Sequence, residues 1–285
     1  NPLVLESATT GVWSADVAAA RTNDSYKYVV NGSLWRSDPR SRAINSTDHN
    51  NSVVVGGRDY DWSGDSGAIT NAQDLVIYEA HVGTFGGLPG TFSTFSNRLD
   101  YLAQLGVTVI EWMPVNEFTT STSWGYNPAY PFAVERNYGT PEELKNLVRG
   151  AHQRGLLTFV DVVHNHWDAG SSLWELDGTS PGPYFYDTDP YEWTYWGPRP
   201  HYGRAEVRET INDTFRMWLE EYHISGFRWD TPGNMLYTTN GVYIPDGLMT
   251  ITNALHRMAT EYTGIWNIAE DLTETSGFDC HWDLS

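Results

Sequence analysis

Two acids and an arginine carry the chemistry available to this sequence. Arg228 and Asp230 stand two residues apart in Gly226-Phe227-Arg228-Trp229-Asp230, where Phe227 and Trp229 alternate with the charged pair. That alternation is the period of a strand with two different faces. On one face, the guanidinium sits beside the carboxylate and favours its ionised form. An ionised Asp at a strand's C-terminal end, followed by Thr231-Pro232-Gly233-Asn234, has the setting of a nucleophile. A structural ion pair capping a strand has the same local sequence, since ion-pair networks also perturb carboxylates.

Glu270 ends a second apolar run, Ile265-Trp266-Asn267-Ile268-Ala269-Glu270. Two carboxylates flanking a scissile bond are the machinery of glycoside hydrolysis, and a separation of about 5–5.5 Å gives retention through a covalent intermediate. To act as the acid, Glu270 must hold a proton, and its apolar neighbours Ile268 and Ala269 are the feature that favours one. Taken alone, each acid also reads as a solvated strand end.

The elements that must position these residues alternate from Asp74 onward. Strands are expected at Leu75–Glu79, Val107–Glu111, Leu156–Asp161, Gly226–Asp230 and Ile265–Glu270, with Phe278–Trp282 opening a sixth. Helices are expected at Phe92–Leu105, closed by Gly106, from Pro141 with Thr140 as N-cap, at Ala205–Tyr222 and at Asp246–Tyr262. Ile211, Phe215, Trp218, Leu219 and Tyr222 fall on one helical face, as do Leu248, Ile251, Leu255 and Met258.

Repeated strand–helix units with apolar strands point to a parallel sheet in an α/β fold. Glu79, Glu111, Asp161, Asp230 and Glu270 each end a strand, and in a (β/α)8 barrel that rim gathers catalytic groups. A doubly wound nucleotide-binding sheet is the competitor, but no glycine-rich phosphate loop follows any strand. The expected fold is therefore an incomplete (β/α)8 barrel, about strands one to six, over residues 71–285, with a long loop at about 167–204. Residues 1–70 read as the C-terminal part of a small all-β module: Tyr26-Lys27-Tyr28-Val29-Val30 runs into an Asn31-Gly32 turn, followed by Trp35–Pro39 and Ser52–Val55. Both ends look cut.

Net charge is −19 over 285 residues, with Lys27 and Lys145 the two lysines. Nucleic acid and anionic membrane are poor partners for such a field, whereas a neutral ligand is compatible with it. The 13 Trp suit a protein that stacks on flat apolar faces, although core packing also uses Trp. Cys280 stands alone, excluding an intrachain disulfide and a thiol metal cluster. No run of about 18 apolar residues spans a membrane, and no secretory signal opens the chain. The expected compartment is the cytoplasm. No metal or cofactor is expected, and the oligomeric state is left open.

Asp161-Val162-Val163-His164-Asn165-His166, Gly226–Asp230 and Asn267-Ile268-Ala269-Glu270-Asp271 resemble, in order, the first three signature regions of the α-amylase family, glycoside hydrolase family 13. Trp124-Gly125-Tyr126-Asn127-Pro128 resembles the family's substrate-ring stacking segment. Tyr78–Phe85, Tyr138-Gly139-Thr140-Pro141 and Met235-Leu236-Tyr237 are most similar to the 1,4-α-glucan branching enzymes. Trehalose-releasing hydrolases and debranching enzymes share the first-strand motif. They also share a starch-binding-type module, which residues 1–70 resemble.

The resemblance implies Asp230 as nucleophile, Glu270 as general acid/base and Arg228 as the group holding Asp230 ionised. It implies Tyr126 stacking on the reacting sugar, His166 hydrogen-bonding one of its hydroxyls, Asp161 supporting the site, and Trp124 in the substrate-binding segment. The partner implied is an α-glucan polysaccharide or oligosaccharide, and the reaction retaining transfer of the branching type. Hydrolysis by an enzyme of the same family is the alternative, as is a non-catalytic glucan-binding protein. Two departures stand out: the fourth region, a His-Asp pair, has no counterpart in the chain, and Thr231-Pro232-Gly233-Asn234 is unusual after the nucleophile.

Overall fold

A computed structural model describes residues 2–7, 9, 11–45, 51–56, 60–65, 71–171, 173–271 and 275–281. Six short strands come first: β1 (Val4–Ser7), β2 (Val12–Ser14), β3 (Ser25–Tyr26), β4 (Tyr28–Val30), β5 (Leu34–Arg36) and β6 (Ser52–Val53). They pair antiparallel as β1–β2, β3–β6 and β4–β5. The single strand expected over 26–30 is split at Lys27, because its two halves pair with different partners. Asn31 and Gly32, with φ of 51° and 76°, make the β4–β5 turn. Arg40–Asp213 and Arg42–Glu221 ion pairs fasten this region to the helix at Ala205–Tyr222. Ile44 is buried with Ala129, Tyr130 and Ala133.

The rest of the chain contributes β7 (Ile77–Ala80), β8 (Val109–Trp112), β9 (Asn116–Phe118), β10 (Pro128–Val134), β11 (Leu157–Val162), β12 (Gly226–Trp229), β13 (Trp266–Ala269) and β14 (Cys280–His281). Helices α1 (Val82–Phe85), α2 (Phe92–Ser96), α3 (Leu99–Leu105), α4 (Pro141–His152), α5 (Ala205–Tyr222), α6 (Gly233–Leu236) and α7 (Pro245–Glu261) lie between them. The sheet runs β7-β8-β11-β12-β13-β14, all parallel and in chain order. A doubly wound sheet reverses its order at a switch point, and this one does not. It is a curled part of a (β/α)8 barrel, as the sequence predicted. Trp282, at the end of the expected sixth strand, lies outside the described residues.

Strand alternation gives the sheet two apolar layers. Ile110, Trp112, Val160, Val162, Phe227 and Trp229 pack outward with Leu147, Phe215, Trp218 and Ile251 from the helices. Val109, Leu157, Phe159 and Ile268 form a separate inner layer, edged by Leu75, Trp266 and Cys280. Truncating one of the buried outward aromatics, such as Phe215, costs about 3–5 kcal/mol by the usual cavity and transfer terms.

Local signals explain the helices. Thr140 and Glu143 form a reciprocal capping box with Pro141 in the first turn of α4. The helix expected over 92–105 is instead α2 and α3. Arg98 N–H bonds Phe95 O at 2.8 Å, a tighter turn that interrupts the ladder at Ser96-Asn97-Arg98. The β9–β10 hairpin was not anticipated: Pro128 and Pro131 break the strand signal, and β10 is buried throughout, so no alternation betrays it. The 167–204 loop carries no helix or strand among the described residues, only isolated bridges such as Phe185–Pro200.

Candidate active site

Side chains at every second position share a face, so Glu111, Asp161 and Arg228 all lie on the inner face of the sheet. Asp230 and Glu270 continue that face one residue beyond β12 and β13. Arg228 is the centre. Its Nη1 donates to Asp161 Oδ2 at 2.7 Å and to Asp230 Oδ1 at 3.1 Å, and its Nη2 meets Glu270 Oε2 at 2.7 Å. A planar fork of five N–H donors makes such triple contact possible. Burial opposes the guanidinium's charge, but Asp161 and Asp230 outweigh it and raise its pKa.

Asp230 is held from both sides. Asn165 Nδ2 donates to Asp230 Oδ2 at 2.7 Å and to its backbone carbonyl at 2.8 Å. The backbone N–H of Asp230 is anchored to Val162 O at 3.0 Å. Glu270 Oε2 also accepts from the Thr231 N–H at 3.2 Å and from its hydroxyl at 2.9 Å. Thr231 has φ of 37°, a left-handed conformation that costs a β-branched residue on the order of 1–3 kcal/mol. That turn aims its N–H at Glu270. Glu270 therefore meets donors where the sequence suggested an apolar setting, because Ala269, in register with Trp229, points to the outer face and Ile268 sits one pleat lower in the inner layer.

Asp161 is fully buried. Its Oδ2 also accepts from the Tyr126 phenol at 2.8 Å, while its Oδ1 has no hydrogen-bond partner among the described residues. Burial pushes its carboxyl well above the usual range, against the pull of Arg228 and reinforced by Asp230 and Glu111. Burial also pushes Glu111 up to about 7.

Tyr126 comes from the β9–β10 loop, and the Arg228 guanidinium lies 5.8 Å from its ring centroid. Gly125 sets the approach: its φ is 97°, and a Cβ there would stand 2.2 Å from Pro114 O. Asp168 tethers this loop by accepting from Thr119 Oγ1 at 2.9 Å and Asn127 Nδ2 at 3.2 Å.

His166 is buried, with Nδ1 2.7 Å from Asn165 Oδ1 and Nε2 2.7 Å from the Tyr126 carbonyl. Burial lowers its pKa, although the Tyr126 bond and the Asp230 charge oppose this. A neutral imidazole has one N–H for these two acceptors. In this structure the ring orients Asn165 and Tyr126, the first of which holds Asp230.

The structure thus brings Asp230, Glu270, Arg228, Asp161, Tyr126 and His166 into one connected cluster. It leaves Trp124 apart, 70% exposed on the loop. Sequence reasoning assigned no role to Asn165 or Thr231, and placed Glu111 on the rim only as a strand-ending acid. Asn165 was legible only as a member of the His164-Asn165-His166 motif, and the Thr231 contact had no sequence signal.

Residues 42–195 match the family of the alpha amylase catalytic domain. The malto-oligosyltrehalose trehalohydrolase of Saccharolobus solfataricus is 36% identical over 230 residues, covering 79% of this chain and 39% of that protein. The 1,4-alpha-glucan branching enzyme GlgB of Bacillus caldolyticus is 29% identical over 283 residues, covering 93% of this chain and 42% of that one. The crystal structure of a Salmonella typhimurium protein assigned to alpha amylase superposes with a TM-score of 0.77 at 30% identity, over 91% of this chain and 42% of that one. The chain thus spans less than half the length of these relatives. No helix among the described residues is long and apolar enough to cross a membrane. With its parallel strands in barrel order, its acids on one rim and this match, the chain belongs to the alpha-amylase catalytic-domain family.

Proposed function

We propose that the protein carrying this chain is a retaining enzyme acting on α-glucans, with Asp230 as nucleophile and Glu270 as acid/base. The observation that carries this reading is the shared guanidinium, Arg228 within 3.1 Å of Asp230 and 2.7 Å of Glu270. Two acids in contact with one planar group are near neighbours, and a close pair of carboxylates, about 5–5.5 Å apart, is the arrangement retention uses.

In the first step an Asp230 oxygen bonds the anomeric carbon as the glycosidic C–O bond breaks, and Glu270 gives its proton to the leaving oxygen. In the second, an acceptor O–H attacks the same carbon, returns a proton to Glu270 and releases Asp230. A glucan hydroxyl as acceptor makes the enzyme a branching transferase, and water makes it a hydrolase. The branching reading draws support from the first-strand and post-nucleophile motifs and from the branching-enzyme relatives. The hydrolytic reading is favoured by the trehalohydrolase at 36% identity. Residues 1–70 fit a carbohydrate-binding-type module ahead of the barrel.

Incubation of the full-length protein with amylose separates the two. Loss of iodine colour without new reducing ends means transfer, and new reducing ends mean hydrolysis. Neither change would count against an α-glucan enzyme of any kind.

A further inference from the structure

His81 stands where β7 hands over to α1, and its ring reaches the loop between β9 and β10. Its Nε2 lies 2.7 Å from the Tyr138 hydroxyl and 3.0 Å from the Ser123 carbonyl. A carbonyl oxygen only accepts, so Nε2 carries the proton, and Nδ1 accepts from the Thr84 hydroxyl at 3.2 Å. Tyr138 closes the triangle, its own hydroxyl donating to the same Ser123 carbonyl at 3.3 Å. Burial pushes the Tyr138 phenol above its usual range, so it keeps its proton for that bond.

The pair is firmly built. Tyr138 is buried, and its ring meets Phe92 and Phe118 edge-on at 6.0 and 6.1 Å. A Cβ on Gly83 would stand 2.8 Å from a His81 ring carbon and 3.0 Å from a Tyr138 ring carbon, so glycine leaves both rings their room.

Ser123 ends the polar run Thr119-Thr120-Ser121-Thr122-Ser123, which forms no helix or strand. A run with no apolar side chain to bury has little of its own to fix its place. The site begins immediately after it. Ser123 Oγ accepts from the Gly125 N–H at 2.9 Å and bonds Asn127 Oδ1. Tyr126, between those two residues, donates to Asp161 and lies against Arg228. Asp168 holds the turn by the side chains of Thr119 and Asn127, whereas His81 and Tyr138 hold it by the Ser123 backbone.

We infer that His81, with Tyr138, is a positioning residue for the reaction: it fixes the Ser123 carbonyl and thereby the turn that presents Tyr126 to Arg228 and Asp161. The role in turnover rests on the reading of Asp230 and Glu270 as a glucan-cleaving pair. The test is a double-mutant cycle in the full-length protein, read as kcat/KM on amylose. His81→Ala is expected to lower it roughly 10- to 100-fold, the effect of misplacing a group by about 1 Å. His81→Gln, whose side-chain amide can still donate to Ser123 O, is expected to recover most of that loss. In a Tyr126→Ala background, His81→Ala is expected to cost less than about 2-fold, because the ring it positions is already gone.

Equal factors in the two backgrounds overturn the assignment, as does His81→Gln behaving like His81→Ala. Tyr138→Phe keeps the buried ring and removes only the hydroxyl. It runs the same cycle if His81→Ala fails to fold, and its loss is expected only where Tyr126 is present. Amide hydrogen exchange over residues 119–127 needs no turnover, and is expected to rise in His81→Ala and to stay near wild type in His81→Gln. Raised exchange in a protein that leaves amylose unchanged keeps the anchor and removes the glucan reading. Turnover of amylose with exchange and kcat/KM both unchanged in His81→Ala removes the anchor alone.

Discussion

The Nη2 of Arg228 lies 2.7 Å from Oε2 of Glu270. The two residues sit on neighbouring strands, and the contact makes Arg228 common to both candidate catalytic acids and to Asp161. A lysine has one point charge on a flexible stem and cannot span three carboxylates in the same way. The site is therefore a single charged unit, in which displacing one acid disturbs the others.

Asp230→Asn keeps the size of the side chain and removes its charge. In the full-length protein, mass spectrometry after treatment with a fluorinated glycosyl donor is expected to show no covalent adduct. An adduct that survives the substitution would place the nucleophile elsewhere.

Glu270→Gln removes the proton given to the leaving oxygen, an effect of about 10²–10⁴-fold. Turnover of glucan is expected to fall by that order, and turnover of a glycosyl fluoride, whose leaving group needs no proton, by much less. Equal losses on the two substrates reject the acid/base role.

Glu111 supplies a pH dependence of stability. Its pKa rises from 4.5 to about 7 on folding because it is buried. Between those values the folded state binds more protons than the unfolded state, so its contribution is fully present below 4.5 and is lost as pH rises towards 7. Glu111→Gln stays neutral throughout and is expected to flatten that decline. Urea midpoints at pH 5 and 7.5 measure it, and parallel pH trends in the two proteins contradict the assignment.

The inner face of the sheet is open at β7, where Ile77 and Glu79 are exposed. Among the described residues β7 pairs on one side only, with β8. Six strands of the eight in a closed barrel leave edge groups and inner apolar surface in water. Residues 1–285 expressed by themselves are expected to aggregate and to show no glucan turnover. A soluble, cooperatively unfolding product that turns over amylose would show that these strands are sufficient.

Much of this protein was legible because its signals are local. The α5 limits, Ala205 and Tyr222, follow from an apolar face read directly off the chain, and the start of α4 from Thr140, Pro141 and Glu143. The two faces of β12 follow from the alternation of Phe227 and Trp229 with Arg228. The order of the strands, with an acid or arginine near the end of each, pointed to one rim. The β9–β10 hairpin escaped because burial on both sides erases alternation, and prolines argue against a strand.

The amino-acid sequence determined which residues could do chemistry, Asp230, Glu270 and Arg228, and the strands that carry them. Only the tertiary structure decided what those residues touch. Arg228 reaches Asp161 and Glu270 because β11 and β13 flank β12 in register. Asn165 reaches Asp230, and Thr231 reaches Glu270, across the ends of different strands. Alternation along a strand is a property of the backbone and is written locally. The neighbour across the sheet is chosen by packing of the whole chain, and no short stretch of sequence encodes it.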